Sequence, residues 1–123
     1  MNKEISEKIQ ELQSIEQNLQ MFIQQKQAMQ IDFNETSNAL SEVEKSKGSD
    51  IFKIISGIMI KSDKDSLISE LNEKQNLLNA RIQAIEKQES LIEKKSLELR
   101  EEITKEISKN SEDKRKKGDK RED

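Results

Sequence analysis

Apolar residues recur along most of this chain at alternating three- and four-residue spacings, and near its midpoint that rhythm gives way to a nearly unbroken apolar run. In the first periodic segment one row is Ile5, Leu12, Leu19, Lys26, Phe33 and Leu40. Its companion row is Lys8, Ile15, Phe22, Met29, Thr36 and Val43. Nine of these twelve are apolar, which is the seam a left-handed coiled coil requires. The spacing predicts a helix over about 3–46. After the midpoint a second seam runs through Leu71, Leu78, Ile85, Ile92 and Leu99. Its companion row is Ile68, Gln75, Ile82, Glu89, Ser96 and Ile103, and together they predict a helix over about 63–109.

The central run is Ile51-Phe52-Lys53-Ile54-Ile55-Ser56-Gly57-Ile58-Met59-Ile60. It is too short to cross a bilayer, for which a helix needs about 20 residues. Its β-branched content and the Ser56-Gly57 step predict two strands joined as a hairpin over about 50–61. A lone two-stranded hairpin is marginal in water, and this one is apolar on both faces. No other segment reads as a strand, so the missing cover is expected from other chains.

Punctuation is sparse. Gly48 stands where a left-handed cap would end the first helix. Gly57 supplies the hairpin turn. Ser62 or Asp63 is placed to cap the second helix, within a capping-box-like Ser62-Asp63-Lys64-Asp65. A hairpin reverses the chain, so the two helices are expected to pair antiparallel, with the termini at the end away from the hairpin. The expected register opposes Leu12 with Leu99, Leu19 with Ile92, Phe33 with Leu78 and Leu40 with Leu71. The fold class read from the chain is mainly α: a long antiparallel two-helix coiled coil joined by a central β-hairpin. A single domain is expected over 1–110, followed by a disordered charged tail over 111–123. Residues 110–123 hold six basic and five acidic side chains, so even Lys114-Arg115-Lys116-Lys117 reads as a solvated polyampholyte.

Composition narrows the function classes. Of 123 residues, 31% are hydrophobic and 38% charged, with three Phe as the sole aromatics. That profile suits a coiled coil and cannot fill a globular core. A net charge of −3 argues against a nucleic-acid partner. His and Cys are absent, and no Gly-rich phosphate loop or metal-ligand spacing occurs, so neither an enzyme nor a cofactor is expected. The first residues lack the apolar stretch of a signal peptide, and a cytoplasmic, soluble chain with no membrane partner is expected. What the residues themselves allow is a structural tether that oligomerises through its hairpin.

The residues Phe52-Lys53-Ile54-Ile55-Ser56-Gly57-Ile58-Met59-Ile60-Lys61-Ser62-Asp63 resemble the hairpin of the prefoldin family, beta class. There, an aromatic-Lys pair leads to a Gly and then to an apolar-Lys strand end. Ile85-Glu86-Lys87-Gln88-Glu89 is similar to that family's second-helix signature, and the Gln-rich first helix (Gln10, Gln13, Gln17, Gln20, Gln24, Gln25, Gln27) is also typical. Phe52 stands where the family commonly has Tyr, and Ser56 where a small apolar residue is frequent. A single hairpin points to the beta class, and the generic beta-type pattern resembles the archaeal type.

The resemblance implies a hetero-hexamer of two alpha-class and four beta-class subunits whose hairpins join into an inter-subunit β-barrel. It also implies capture of non-native client proteins at the coiled-coil tips without ATP, and delivery to a group II chaperonin. The platform residues are then Ile51, Phe52, Ile54, Ile55, Ile58, Met59 and Ile60. The client-binding candidates are Ile5, Ile9, Leu12, Leu99, Ile103 and Ile107. Ile5, Leu12, Leu99 and Ile103 occupy seam positions and serve equally well to close the coiled coil; Ile9 and Ile107 lie beside it. Leu77, Ala84 and Leu91 recur at seven-residue spacing off the seam, either widening the apolar face or forming a client-facing stripe.

Overall fold

The computed structural model describes residues 2–48 and 50–122, with side chains through Glu112. Its elements run α1 (Lys3–Lys45), β1 (Asp50–Ile55), β2 (Ile58–Asp63) and α2 (Lys64–Glu122). This is the helix–hairpin–helix order expected from the periodicity. The chain divides into two compact units, one of residues 24–86 and one of residues 1–23 with 87–123.

In the unit built from residues 24–86, the end of α1, the hairpin and the start of α2 are joined by polar contacts that satisfy helix ends. Asp63 Oδ2 accepts from the Ser66 backbone N–H and from Ser66 Oγ, both at 3.2 Å. Asp63, not Ser62, is therefore the cap, filling one of the donors a helix start leaves without an intrahelical partner. At the end of α1, the Ser46 N–H reaches the carbonyls of Glu42 and Val43. Lys64 Nζ donates to the Ser46 carbonyl at 2.6 Å. Gly48 does not take the expected left-handed conformation; among described glycines only Gly57 has positive φ. The lysine does what the glycine cap was expected to do: it supplies a donor to a carbonyl near the helix end.

Along the shaft of this unit, Leu40, Leu67, Leu78, Ile82 and Ile85 are buried. Two polar seam positions make side-chain hydrogen bonds, one within α1 and one between the helices. Thr36 Oγ1 donates to the Asp32 carbonyl one turn earlier at 2.7 Å, and Gln75 Nε2 donates to Ser37 Oγ at 2.8 Å.

In the other unit the start of α1 packs antiparallel against α2. Asn2 caps α1, its Oδ1 accepting from the Glu4 N–H at 2.6 Å. Ile5, Ile15, Leu99 and Ile103 form a buried cluster, with Ile9, Leu12 and Ile92 packed against it. Leu12 and Leu99 thus fall in one cluster, as the expected register requires. Flanking ion pairs agree: Lys8, one turn before Leu12, meets Glu102, just after Leu99, and Glu11 meets Lys95. A slip of one heptad would carry each of these partners seven residues away.

Every position in the two seam rows of α1, and in those of α2, is buried or half-buried. At the C-terminal side α2 runs past residue 109, where spacing placed its end, and is helical to Glu122. The segment from residue 111 contains no proline, and six of its thirteen residues are Lys or Arg, which lose little side-chain freedom in a helix. The basic run Lys114-Arg115-Lys116-Lys117 lies outside the described side chains.

Candidate functional site

The hairpin forms because two residues with positive φ join its strands: Ser56 at 51° and Gly57 at 79°. That is the geometry of a two-residue turn whose twist matches that of the flanking strands. Ile55 then faces Ile58, Ile54 faces Met59, Lys53 faces Ile60 and Phe52 faces Lys61. Directly opposed residues of an antiparallel pair share a face and strand neighbours alternate. Phe52, Ile54 and Met59 therefore line one face, and Ile51, Ile55, Ile58 and Ile60 the other.

Neither face is covered. Ile54 is 69% exposed, Met59 66% and Ile58 64%, with Phe52, Ile55 and Ile60 also exposed and Ile51 half-buried. Lysines fix the hairpin at its polar margins. Lys53 Nζ lies 3.2 Å from Glu70 of α2, and Lys61 bridges to Asp50 on the neighbouring strand at 3.4 Å. Such exposed pairs contribute at most about 1 kcal/mol, so they orient the apolar surface more than they stabilise it. The structure brings all seven expected platform residues into this one hairpin.

The client-binding candidates divide differently. Ile5, Leu99 and Ile103 are buried in the cluster between α1 and α2, with Ile5 only 1% exposed; Ile9 and Leu12 are half-buried against them. Ile107 is 50% exposed. Ile9, placed beside the seam by sequence spacing, is drawn into the packing, because an antiparallel partner covers more of the helix than a strict two-row seam. Leu77, Ala84 and Leu91 are all exposed, so they do not widen the buried face of this chain.

Sequence reasoning missed a charged layer beside that cluster. Lys8 Nζ donates to Glu106 Oε1 and lies 3.6 Å from Glu102 and 3.9 Å from Glu4. The Glu106 hydrogen bond lifts the Lys8 pKa above its ordinary value of 10.5, against the opposing effect of desolvation. Glu106 Oε2 is buried without a hydrogen-bond partner. The signal was present, since Lys8 was a charged member of a seam row and Glu106, seven residues after Leu99, continues the other α2 row. Glu11–Lys95 and Glu16–Arg100 add two more bridges between the helices of this unit.

Other candidate chemistry is thin. An open groove in the hairpin unit is lined by Gln30, Phe33, Asn34, Asn79 and Ile82, which offer amides and apolar surface but no acid, base or nucleophile. Among the described residues no group of His, Cys, Asp or Glu is arranged to hold a metal ion, and no helix is long and apolar enough to cross a membrane.

A family model described as prefoldin subunit matches residues 6–110. The prefoldin subunit beta of Thermococcus onnurineus is 38% identical over 94 residues, covering 76% of this chain and 81% of the relative. That of Pyrococcus furiosus is 39% identical over 94 residues, covering 76% and 80%. The crystal structure of the prefoldin beta subunit from Thermococcus strain KS-1 superposes with a TM-score of 0.78 at 31% identity, covering 85% of this chain and 92% of that one.

Proposed function

The chain belongs to the prefoldin subunit family, a family of chaperones, and we propose that it acts there as an ATP-independent holdase subunit of the beta class. Four such chains and two alpha-class subunits would join hairpins into a β-barrel platform in the cytoplasm. Their paired helices would hold non-native polypeptides near the chain ends and pass them to a group II chaperonin.

The observation that carries this reading is the hairpin with two uncovered apolar faces. A continuous exposed apolar surface marks an interaction site, and among the described residues each strand has one edge with no partner, open to pairing with another chain. Closure into a barrel removes both the edges and the exposed faces at once. On the client side, Ile107 is already available, whereas Ile5, Ile9, Leu12, Leu99 and Ile103 become available when the helix pair opens locally. Several arms would multiply such weak contacts through effective concentration.

The burial of Ile5, Leu99 and Ile103 favours a second reading, in which the helix pair is a permanently closed tether. The two separate in a single assay. The full-length chain, assembled with an alpha-class partner, is expected to suppress aggregation of a denatured protein in the absence of nucleotide. Removing residues 1–9 and 103–123 is expected to keep the assembly and weaken that suppression. An intact assembly that suppresses nothing would leave the tether.

A further inference from the structure

The charged layer neighbours, along both helices, the residues that the holdase reading assigns to clients. Lys8 lies one helical turn from both Ile5 and Leu12 on α1, and Glu106 one turn beyond Ile103 on α2. Ile5, Leu12 and Ile103 belong to one apolar cluster. Lys8 and Glu106 are each mostly covered, at 22% and 23% side-chain exposure, whereas the bridges Glu11–Lys95 and Glu16–Arg100 are about half exposed and hold less.

We propose that the Lys8–Glu106 pair is a clasp which keeps α1 and α2 closed at the chain ends and so limits how often Ile5, Leu99 and Ile103 are offered to a client. This rests on the holdase reading and names the device that regulates it. A covered ion pair suits the task better than an apolar pair. It loses much of its attraction to desolvation, so it closes a seam less firmly than well-packed hydrocarbon would. Removing one partner strands the other charge, and here Glu106 Oε2 already lacks a hydrogen bond. Loosening and tightening the clasp therefore require different substitutions, with opposite consequences. Apparent affinity scales with the fraction of molecules in the open, binding-competent state.

The test compares Lys8→Met with the double variant Lys8→Met/Glu106→Leu, each as the full chain assembled with its alpha-class partner. The probe is reduced, carboxymethylated lactalbumin, which cannot refold. Lys8→Met is expected to bind it about threefold more tightly or better, with faster amide exchange over residues 3–15. The double variant, with an apolar layer in place of the clasp, is expected to bind more weakly and exchange more slowly. Equal affinities in all three proteins, or an exchange rate that neither substitution moves, would overturn the clasp alone. Failure of the unaltered assembly to bind the probe would overturn the holdase reading, and the clasp with it.

Discussion

Gln75 Nε2 donates to Ser37 Oγ at 2.8 Å, joining α2 to α1 through two half-buried polar side chains. A buried polar layer costs stability compared with an apolar one but penalises misaligned pairings, which would leave its groups without partners. Gln75→Leu is expected to raise the thermal midpoint, with a gain on the order of 1 kcal/mol from added apolar burial. It is also expected to broaden the distance distribution between spin labels on Gln30→Cys and Asn79→Cys. A sharp distribution alongside the higher midpoint would mean that other residues set the register.

The hairpin turn holds Ser56 at a φ of 51°, a conformation that costs a residue with a Cβ about 1–2 kcal/mol. Ser56→Gly removes that Cβ and is expected to raise stability by several tenths of a kcal/mol, part of the gain being offset by backbone entropy. Gly57→Ala is expected to do the opposite by about 1 kcal/mol. Its Cβ would meet nothing within 4 Å, so the cost would come from the backbone at φ 79° and not from a clash. Thermal melts of the two variants, compared with the unaltered chain, check both signs.

Ile54 and Ile58 lie on opposite faces of the hairpin, each more than half exposed. Ile54→Asp with Ile58→Asp places a carboxylate on both faces, where burial against another chain would be strongly opposed. The expected result is loss of the large assembly in light-scattering mass measurement, with most helical circular dichroism retained. An unchanged particle mass would contradict assembly through the hairpin.

Lys8 binds its proton more tightly in the folded chain than an isolated lysine does, because Glu106 hydrogen-bonds to it. Its stabilising contribution is therefore complete below the ordinary lysine pKa of 10.5 and is lost as pH rises through the higher folded value. Between neutral pH and pH 10 the contribution should be constant. Above that range the unaltered chain is expected to lose thermal stability more steeply than Lys8→Met. Parallel melting curves from pH 9 to 12 would show that the pair contributes nothing to closure.

Asp63 accepts two hydrogen bonds from Ser66 at the start of α2. Asp63→Ala is expected to cost about 1 kcal/mol, the usual value of an N-cap. Ser62→Ala should cost little by comparison. Urea titration of both variants separates the two residues that sequence spacing left as alternatives.

The helices, their seam rows and the hairpin position were legible because each depends on short-range geometry. A three-four alternation of apolar residues must lie on one helical stripe, and Ser56-Gly57 between β-branched strands can turn the chain where it stands. Less legible were features that depend on a contact made across the fold. Lys64 reaching the Ser46 carbonyl replaced the glycine cap expected at Gly48. Lys8 and Glu106 looked like unrelated charged positions until the antiparallel pairing set them together.

By itself, then, the sequence determined that two seam-bearing helices flank a two-faced apolar hairpin, since those properties follow from spacing along the backbone. It could not separate Ile9, half-buried against the apolar cluster, from Ile107, 50% exposed, because spacing places both beside the seam. Only the tertiary structure decided that difference. Burial depends on whether a side chain on the opposing helix, about a hundred residues away in sequence, arrives to cover it.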